Sequence, residues 1–444
     1  MAVEAPFVTL VGWQDIVGRE HAREATARDA IDGARPHFVI EPGTVEEVGA
    51  VMRLAHRAGL SVAPRGGGTK LGWGNPPRRL DLILSTARLD RVPEHAAGDL
   101  VVRAEAGVTL ETLRETVGAA GQRLALNPPD VDATLGGIVA ANPSGYLRLR
   151  YGTVRDLLIG VTVVLADGTI AKAGGKVVKN VAGYDLCKLY TGSLGTLGVV
   201  VETIWRLHPI PAARRTVSVE LPSPDAAGAA VQALSHTPHS PLVLDALELR
   251  WGLPSPPPPS PAHGRGVGGE GTLAALFEGI EPGVVARAET AARLLEAHGV
   301  ARTLAPDEED AFWRQAALYP WRDDDTGLKL AHPPAALPTV LRDIVELTQA
   351  HGMAPRIAGH AATGVTFVGL PGGDAAPVAA LVAALRERVA RAGGSVVVSQ
   401  APLDIKEKVD VWGPVGDALP LMRRVKDRFD PAGILNPGRF VGGI

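Results

Sequence analysis

The stretch Pro64-Arg65-Gly66-Gly67-Gly68-Thr69-Lys70 is predicted to form a loop between two strands. Three consecutive glycines let successive N–H groups converge on one anion, since no Cβ restricts φ or blocks a close approach. Arg65 and Lys70 add positive charge, and no Asp or Glu occurs from 64 to 79. The loop therefore predicts a cradle for a diphosphate. An ordinary glycine-rich turn is the alternative that the loop alone leaves open.

Two familiar phosphate-binding motifs are excluded by the order of residues in this loop. The dinucleotide pattern G-x-G-x-x-G, counted from Gly66, would need its third glycine at the sixth position, where Leu71 stands, and it would need a helix directly afterwards. A Walker A loop would place lysine after a different glycine spacing. A nicotinamide-dependent dehydrogenase is therefore disfavoured.

Further glycine-rich segments follow along the chain. They are TLGGIVAANPSG (134–145) with YGTVRD (151–156), then KNVAGYD (179–185) with GSLGTLGVV (192–200). The segment from Ala133 to Val201 contains seven basic and three acidic residues, so its net charge is +4 in a chain whose net charge is −3. A positive, glycine-rich region suits a large anionic cofactor. A solvated basic surface remains the alternative.

The first half of the chain is predicted to alternate short helices and strands. Thr44 begins a capping box, and Gly59 ends the helix that follows it. Asp167-Gly168 predicts a hairpin between two apolar runs, and Pro209 with Pro211 predicts a domain boundary. Further helices are predicted over 109–120, 184–190, 284–298 and 374–392, and strands over 80–84, 101–106 and 198–207.

The amino-acid composition limits the kinds of function that the chain can have. With 46% hydrophobic and 21% charged residues, the chain is ordinary for a globular protein, and its small net charge predicts no nucleic-acid partner. Cys187 is the only cysteine, which excludes an internal disulfide and a cysteine-rich metal or iron–sulfur site in this chain. Met1–Glu20 lacks a signal-peptide pattern, and no apolar run is long enough to span a membrane. We expect a cytoplasmic protein.

Taken in order, these segments resemble the FAD-binding domain of the vanillyl-alcohol oxidase/p-cresol methylhydroxylase family. The resemblance is strong over Arg35–Ile210 and is closest to the smaller FAD-binding subunits of bacterial glycolate oxidases (glycolate dehydrogenases). KNVAGYDLCKLYTGSLGTLG (179–198), VDVWG (409–413), FDPAGILNPGRF (429–440) and the closing NPGRFVGGI carry it. It implies an α+β fold, with a two-lobed FAD-binding domain of the p-cresol methylhydroxylase type and a second α+β cap domain.

The implied domains are an FAD-binding domain over 1–211, a substrate or cap domain over 212–413, and a C-terminal strap over 414–444 that returns to the first domain. The proline-rich segment 255–271 is low in complexity and is expected to be a disordered insertion. The tail 429–440 is too rich in turn residues for a helix.

The resemblance also implies which residues bind FAD. The pyrophosphate is expected at the glycine loop, further cofactor contacts at the second segment, the adenine side at the third, and the isoalloxazine near Asn180 and Tyr184. The residues expected at the pyrophosphate are Arg65, Gly66, Gly67, Gly68, Thr69 and Lys70. The residues expected to make further cofactor contacts are Leu135, Gly136, Gly137, Ile138, Ser144 and Gly145. Those expected on the adenine side are Gly195, Gly198 and Val200. Some relatives tether FAD through a histidine at the end of the loop. Because Thr69 and Lys70 stand there, we expect FAD to be held noncovalently.

A small 2-hydroxy acid such as glycolate or D-lactate is the expected substrate. Its oxidation requires a base for the hydroxyl proton and a cation for the carboxylate. His360 is the candidate base and Arg356 the candidate cation, in the region expected to face the flavin. A structural histidine is the competing interpretation. Tyr319, Trp321, Arg322 and Lys329 form an aromatic and basic cluster that is expected to serve packing or an interface.

Larger catalytic relatives carry paired histidines that bind a metal, and this chain has no H-x-H, so no metal site is expected. Two interpretations stay open: a catalytic FAD-dependent 2-hydroxy-acid dehydrogenase, and a non-catalytic FAD-binding accessory or scaffold subunit. The resemblance implies a second, catalytic flavoprotein subunit and an iron–sulfur subunit as partners. It also allows a peripheral location at the inner membrane through that complex.

Overall fold

The computed structural model describes residues 8–130, 132–176, 184–235, 242–253 and 271–444. Its contacts divide the chain into two compact units. Unit 1 comprises 1–143, 152–210 and 414–444, and unit 2 comprises 144–151 and 211–413. The break between Ile210 and Pro211 falls at the predicted prolines. The predicted domain limits stay predictions, and the grouping of 144–151 with unit 2 is a feature that the linear sequence does not display.

The chain forms short strands and helices throughout. The strands are β1 Ala22–Glu24, β2 Phe38–Ile40, β3 Val62–Arg65, β4 Leu82–Ser85, β5 Glu94–Ala96, β6 Val101–Glu105, β7 Gln122–Arg123, β8 Leu158–Val164, β9 Ile170–Gly174, β10 Val199–Arg206, β11 His208–Pro209, β12 Ala213–Leu221, β13 Ala246–Trp251, β14 Gly271–Gly279, β15 Ala301–Thr303, β16 Thr326–Ala331, β17 Arg356–His360, β18 Val365–Leu370 and β19 Ser395–Gln400. The helices are α1 Leu10–Val17, α2 Val45–Ala58, α3 Leu110–Gly118, α4 Leu135–Ala141, α5 Arg148–Tyr151, α6 Val154–Leu157, α7 Cys187–Tyr190, α8 Pro224–Ser235, α9 Glu281–Leu295, α10 Pro306–Ala316, α11 Leu337–Ala350, α12 Ala375–Arg391, α13 Leu403–Lys406 and α14 Leu419–Phe429.

Unit 1 contains a four-stranded sheet of order β1-β2-β4-β3, in which β2, β3 and β4 run parallel. The predicted helix between β2 and β3 is confirmed as α2. Thr44 accepts a hydrogen bond from the Glu47 N–H, and Gly59 ends the helix at a left-handed φ of 63°. The helix buries Val48, Val51 and Met52 against the strands of this sheet. This packing orients β3, and the glycine loop begins where β3 ends.

A five-stranded antiparallel sheet of order β5-β6-β10-β8-β9 completes unit 1. The predicted hairpin is confirmed: β8 and β9 pair antiparallel, and Gly168 adopts the left-handed φ of 82° that the turn requires. The helix predicted over 184–190 is shorter than expected and is confined to Cys187–Tyr190.

Unit 2 is built on an eight-stranded antiparallel sheet of order β15-β12-β14-β13-β17-β18-β16-β19. One face packs on α8, α9, α11 and α12, and a single apolar cluster fills that layer. Because side chains alternate between the faces of a strand, the opposite face carries the polar positions of the same strands. We call this opposite face the polar face. Residues 255–270 of the expected insertion lie outside the described residues, and Gly271 begins β14.

The C-terminal segment belongs to unit 1. After α14 the chain continues through turns over 430–440, as expected from its composition, and Leu435 forms a parallel bridge with Val62 at the start of β3. Within the described ranges, no helix is both long and apolar enough to span a bilayer.

Candidate functional site

A cleft that is open to solvent lies in unit 1 beside the glycine loop. The walls come from the loop itself, from the start of α4, from the turn before β10 and from the C-terminal segment. The lining residues are Pro64, Arg65, Gly66, Gly67, Gly68, Thr69, Lys70, Leu71, Asp130, Ala133, Thr134, Gly137, Ile138, Ala140, Ala141, Pro143, Leu194, Gly195, Asn436 and Arg439. Segments far apart in sequence thus meet at one concave surface.

The glycine loop offers a row of backbone donors. Among the described residues, the N–H groups of Gly66, Gly67, Gly68 and Thr69 have no hydrogen-bond partner. Each glycine is required for a reason. A Cβ on Gly66 would collide with Thr134 and one on Gly67 with the Asp132 carbonyl, while Gly68 has φ of 78°. The loop therefore needs glycine both to lie against its neighbours and to adopt the left-handed backbone at Gly68.

The two cations that flank the loop are already paired. Arg65 lies 3.0 Å from the Asp29 carboxylate, and Lys70 forms an ion pair with Asp130. Hydrogen bonds from Arg23 foremost, with further ones from Thr26 and Arg65, hold the pKa of Asp29 far below its usual range. Burial lowers the pKa of Lys70, and Asp130 offsets part of this effect. The unpaired donors of the loop are therefore its backbone N–H groups. The positive charges of Arg65 and Lys70 are largely compensated by Asp29 and Asp130.

The structure brings part of the predicted cofactor set together. Nine of those residues line the cleft: Arg65, Gly66, Gly67, Gly68, Thr69, Lys70, Gly137, Ile138 and Gly195. Others do not: Leu135 is buried in the core, Gly136 packs on Ala106, Val200 is buried and Gly198 packs beside Tyr190. Ser144 and Gly145 belong to unit 2, Tyr184 is 95% exposed, and Asn180 lies outside the described residues. The role of every residue in this set stays a prediction.

The sequence analysis missed the contribution of the C-terminal segment to this cleft. Asn436 and Arg439 line it and are almost fully buried. The NPGR motif was noticed only as part of the resemblance. The polar residues Asn436 and Arg439 in this turn-rich tail are the sequence signal for a binding role, and their burial is seen only in the structure.

The cleft fits FAD on these observations. The unpaired N–H groups of the loop suit a diphosphate, and the buried Asn436 Oδ1 has no hydrogen-bond partner in the described chain. No histidine or cysteine is among the described residues that line the cleft. Cys187 is buried in the core, and burial raises the pKa of its thiol to about 11, so it is a poor nucleophile for a flavin link.

The polar face of unit 2 carries a buried histidine–glutamate pair. His360 on β17 stands opposite Glu248 on β13, and its Nδ1 lies 2.8 Å from the Glu248 Oε2. Both residues are at most 5% exposed. Burial raises the pKa of Glu248, and the neighbouring His360 counteracts part of that rise. Among the described residues the His360 Nε2 has no hydrogen-bond partner.

Two cations on the same face lack an ion-pair contact. Arg250, on β13 next to Ala358, has a buried Nη1 without a hydrogen-bond partner. Lys329 on β16 has no ion pair or hydrogen bond among the described residues. Burial, with the nearby Arg148 as the lesser cause, lowers its pKa to about 8. Unpaired, desolvated cations are unfavourable unless an anion occupies the site.

Aromatic side chains separate these polar groups. Phe367 on β18 is the cross-strand neighbour of both Lys329 and Ala358, and its ring lies 5.5 Å from His360. Tyr319 stacks on Trp321 at 4.3 Å, and both rings meet Phe367 edge-on. The expected packing role of this aromatic cluster agrees with these contacts, but Lys329 stands apart as an enclosed charge.

Arg356, the second predicted catalytic residue, lies on the same strand as His360. Its guanidinium forms an ion pair with Asp325, so its charge is compensated. It lines a separate cleft of unit 2 together with Trp251, Arg322 and Met353. Its role stays a prediction. Across the described parts of the chain, no group of three His, Cys, Asp or Glu side chains is placed to hold a metal ion.

Two family models match the chain. An FAD-binding domain matches residues 36–174, and the C-terminal domain of FAD-linked oxidases matches 210–398 and 412–440.

Relatives extend this match over nearly the whole chain. An uncharacterised FAD-linked oxidoreductase of Mycobacterium tuberculosis is 29% identical over 426 residues, 92% of this chain and 91% of the relative. A D-lactate dehydrogenase of Archaeoglobus fulgidus is 29% identical over 421 residues and 92% of each chain. The glycolate oxidase subunit GlcD of Bacillus subtilis is 34% identical over 218 residues, 48% of this chain and 46% of the relative.

Solved structures agree with the fold. Substrate-bound p-cresol methylhydroxylase is similar with a TM-score of 0.74 at 17% identity, covering 97% of this chain and 95% of that one. An alkyldihydroxyacetonephosphate synthase gives 0.68 at 19% identity, covering 95% and 81%. At such identities the likeness concerns the fold alone. The expected α+β fold of the p-cresol methylhydroxylase type and its FAD cofactor are thereby confirmed, and the chain belongs to the FAD-linked oxidoreductases with a p-cresol methylhydroxylase-type FAD-binding domain.

Proposed function

We propose that this chain is an FAD-dependent dehydrogenase of a small 2-hydroxy acid, such as D-lactate or glycolate. The observation that carries the proposal is the polar face of unit 2, where His360 is paired with Glu248 and Lys329 is an enclosed cation without a partner among the described residues. A 2-hydroxy acid presents the two groups that such a face accommodates, a carboxylate and a hydroxyl whose proton needs a base. Relatives named for D-lactate, glycolate and D-2-hydroxyglutarate support this substrate class.

Each of these residues has one proposed role in the reaction. Lys329 binds the substrate carboxylate, because an anion compensates a charge that burial alone penalises. His360 accepts the hydroxyl proton at Nε2, and Glu248 stabilises the resulting imidazolium through Nδ1–H. Arg356 is a secondary candidate for binding the substrate carboxylate, because its guanidinium already forms an ion pair with Asp325. The bound flavin supplies the acceptor for the two electrons taken from the substrate C2–H bond.

The cofactor is proposed to be noncovalent. Thr69 and Lys70 stand at the end of the glycine loop, and within the part of the chain that the structure describes no histidine or cysteine lines the cleft. Precipitating the purified chain in acid tests this directly. The yellow colour is expected in the supernatant, and a flavin that stays with the pellet would contradict noncovalent binding.

A substrate panel tests the activity. The purified FAD-loaded chain is assayed by dye reduction with D-lactate, L-lactate, glycolate and D-2-hydroxyglutarate, with lactamide as the matched compound that lacks a carboxylate. We expect turnover with at least one hydroxy acid and none with lactamide. Equal turnover of lactamide would contradict the proposal that Lys329 binds the substrate carboxylate.

A second candidate function is an FAD-binding subunit of a glycolate oxidase-type complex, with a separate catalytic flavoprotein, an iron–sulfur subunit and a peripheral membrane location. Two observations favour it: no metal-binding group occurs in the described residues, and one relative is named as a glycolate oxidase subunit. No turnover by the isolated chain, with turnover restored by a partner flavoprotein, would support this candidate. Activity of the isolated chain would exclude a purely accessory role.

A further inference from the structure

We propose that the C-terminal segment Asp430–Arg439 is an integral part of the FAD site of unit 1. In this proposal the side-chain carbonyl of Asn436 accepts a hydrogen bond from the cofactor, while Arg439 and Lys426 hold two walls of the cleft in position. The inference concerns cofactor binding alone, and it is independent of the substrate proposed above.

Asn436 carries the proposal. Its side chain lines the cleft and is 4% exposed, and its Nδ2 donates a hydrogen bond of 2.6 Å to the Leu194 carbonyl. This bond fixes which end of the amide is nitrogen, because a carbonyl accepts only from the NH₂ group. The opposite atom, Oδ1, is therefore an acceptor, and it is buried with no hydrogen-bond partner among the described residues.

A buried acceptor without a partner is costly, and native proteins rarely keep one unless a ligand satisfies it. FAD carries hydroxyl donors on its ribityl and ribose groups, on either side of the diphosphate. A side-chain carbonyl in the diphosphate cleft matches that chemistry. The backbone of Asn436 also adopts φ of 45°, a left-handed conformation that asparagine accepts more readily than most other non-glycine residues. This conformation is retained at a position that lines the cleft.

Arg439 fixes the far end of the glycine loop. Its guanidinium donates hydrogen bonds to the carbonyls of Leu71 and Trp73, and its own carbonyl accepts one of 3.0 Å from the Asn75 N–H. Burial lowers the pKa of Arg439 to about 10, with Asp32 opposing the shift. The side chain thus remains charged at neutral pH beside the cleft, and it sets the shape of the turn that follows Lys70.

Lys426 fixes the opposite wall. Its ammonium group donates to the Thr196 carbonyl at 2.8 Å, to the Leu435 carbonyl at 2.9 Å and to the Asp430 carboxylate at 2.6 Å. Asp430 in turn accepts hydrogen bonds from the Ile434 and Leu435 N–H groups. The turn 194–196 and the glycine loop are therefore connected through one short segment, although they lie more than 120 positions apart in sequence.

The alternative is that the segment only packs unit 1 and does not contact FAD. The substitution Asn436→Gly separates the two cases, because glycine accepts the left-handed φ without strain and removes the amide. The affinity for FAD is measured by titrating the apo-chain and following flavin fluorescence, and the thermal midpoint of the apo-chain is recorded in parallel. Arg428→Ala, an exposed change on α14, is the control.

We expect Asn436→Gly to raise the Kd for FAD roughly 3- to 10-fold, the value of one net hydrogen bond. The Kd of Arg428→Ala should equal that of the parent chain. An unchanged Kd for Asn436→Gly, with or without a lower thermal midpoint, would overturn the proposal.

Hydrogen exchange of the unmodified chain provides a second measurement that needs no variant. FAD is expected to slow exchange of the amides of 434–440 as well as those of 66–70. Slowing at the glycine loop without any change at 434–440 would contradict a role of the segment in the cofactor site.

Discussion

Replacing Lys329 with methionine should make the protein more stable and less active. Burial and Arg148 lower the pKa of this lysine from 10.5 to about 8. One unit of pKa difference corresponds to about 1.4 kcal/mol, so the charged lysine costs up to about 3 kcal/mol of folding free energy at neutral pH. Methionine keeps most of the aliphatic packing and removes that cost. We expect Lys329→Met to gain up to about this amount at pH 7.

The sign of the pH dependence follows from the direction of the shift. Below pH 8 both the folded and the unfolded chain carry the proton, and the full cost is present. Between pH 8 and pH 10.5 the folded chain loses its proton first, so the parent gains stability relative to Lys329→Met. The advantage of the variant should therefore shrink across this range.

Urea denaturation of the apo-chain at pH 7 and pH 10 measures this difference, and Lys408→Met, an exposed site, is the matched control. Steady-state kinetics on the FAD-loaded variant should show a KM for the hydroxy acid raised by roughly 10-fold or more, since one charged hydrogen bond is lost. Because the chain has nine lysines, ¹³C labelling of their ε-carbons can also follow the titration of Lys329 itself. A variant that is less stable than the parent by the same amount at both pH values would refute the reasoning.

Three further outcomes are expected. Gly67→Ala should abolish tight FAD binding, because its Cβ would collide with the Asp132 carbonyl, and a Kd within twofold of the parent would contradict the close approach. Glu248→Gln should lower kcat roughly 10- to 100-fold, because the His360 imidazolium formed in the reaction loses its counter-charge; a kcat equal to that of the parent would exclude this coupling. Lys426→Met should lower the free energy of unfolding by roughly 3–5 kcal/mol in urea denaturation, because Asp430 is left buried without its cation, and adding Asp430→Asn should recover part of the loss.

The local features of the fold could be predicted from sequence because their causes are local. The cap at Thr44, the left-handed glycine at 59 and the hairpin turn at Gly168 are all decided by residues within a few positions, and the structure contains each of them. The glycine loop itself left an ordinary glycine-rich turn as the alternative, and the glycine-rich segments that follow it favoured the diphosphate cradle.

The ionic partners could not be predicted because they are distant in sequence. Asp29 is 36 positions from Arg65, and Asp130 is 60 positions from Lys70, so the compensation of both charges depends on the tertiary fold.

The polar face was missed for a related reason. Glu248 and Arg250 alternate with apolar residues on β13, a pattern typical of a strand with one solvated face. Glu248 is instead fully buried, with its partner His360 112 positions away. Alternation identifies which side chains share a face but says nothing about what covers that face.

The most direct test of the proposed function is rapid anaerobic mixing of the isolated FAD-loaded chain with D-lactate or glycolate, followed in the visible absorption band of oxidised flavin. We predict that the band bleaches at a rate at least equal to steady-state turnover, and that a substrate deuterated at C2 slows the bleaching. A flavin that stays oxidised with every hydroxy acid tested, in a chain that binds FAD tightly, would contradict the account of this chain as the catalytic subunit.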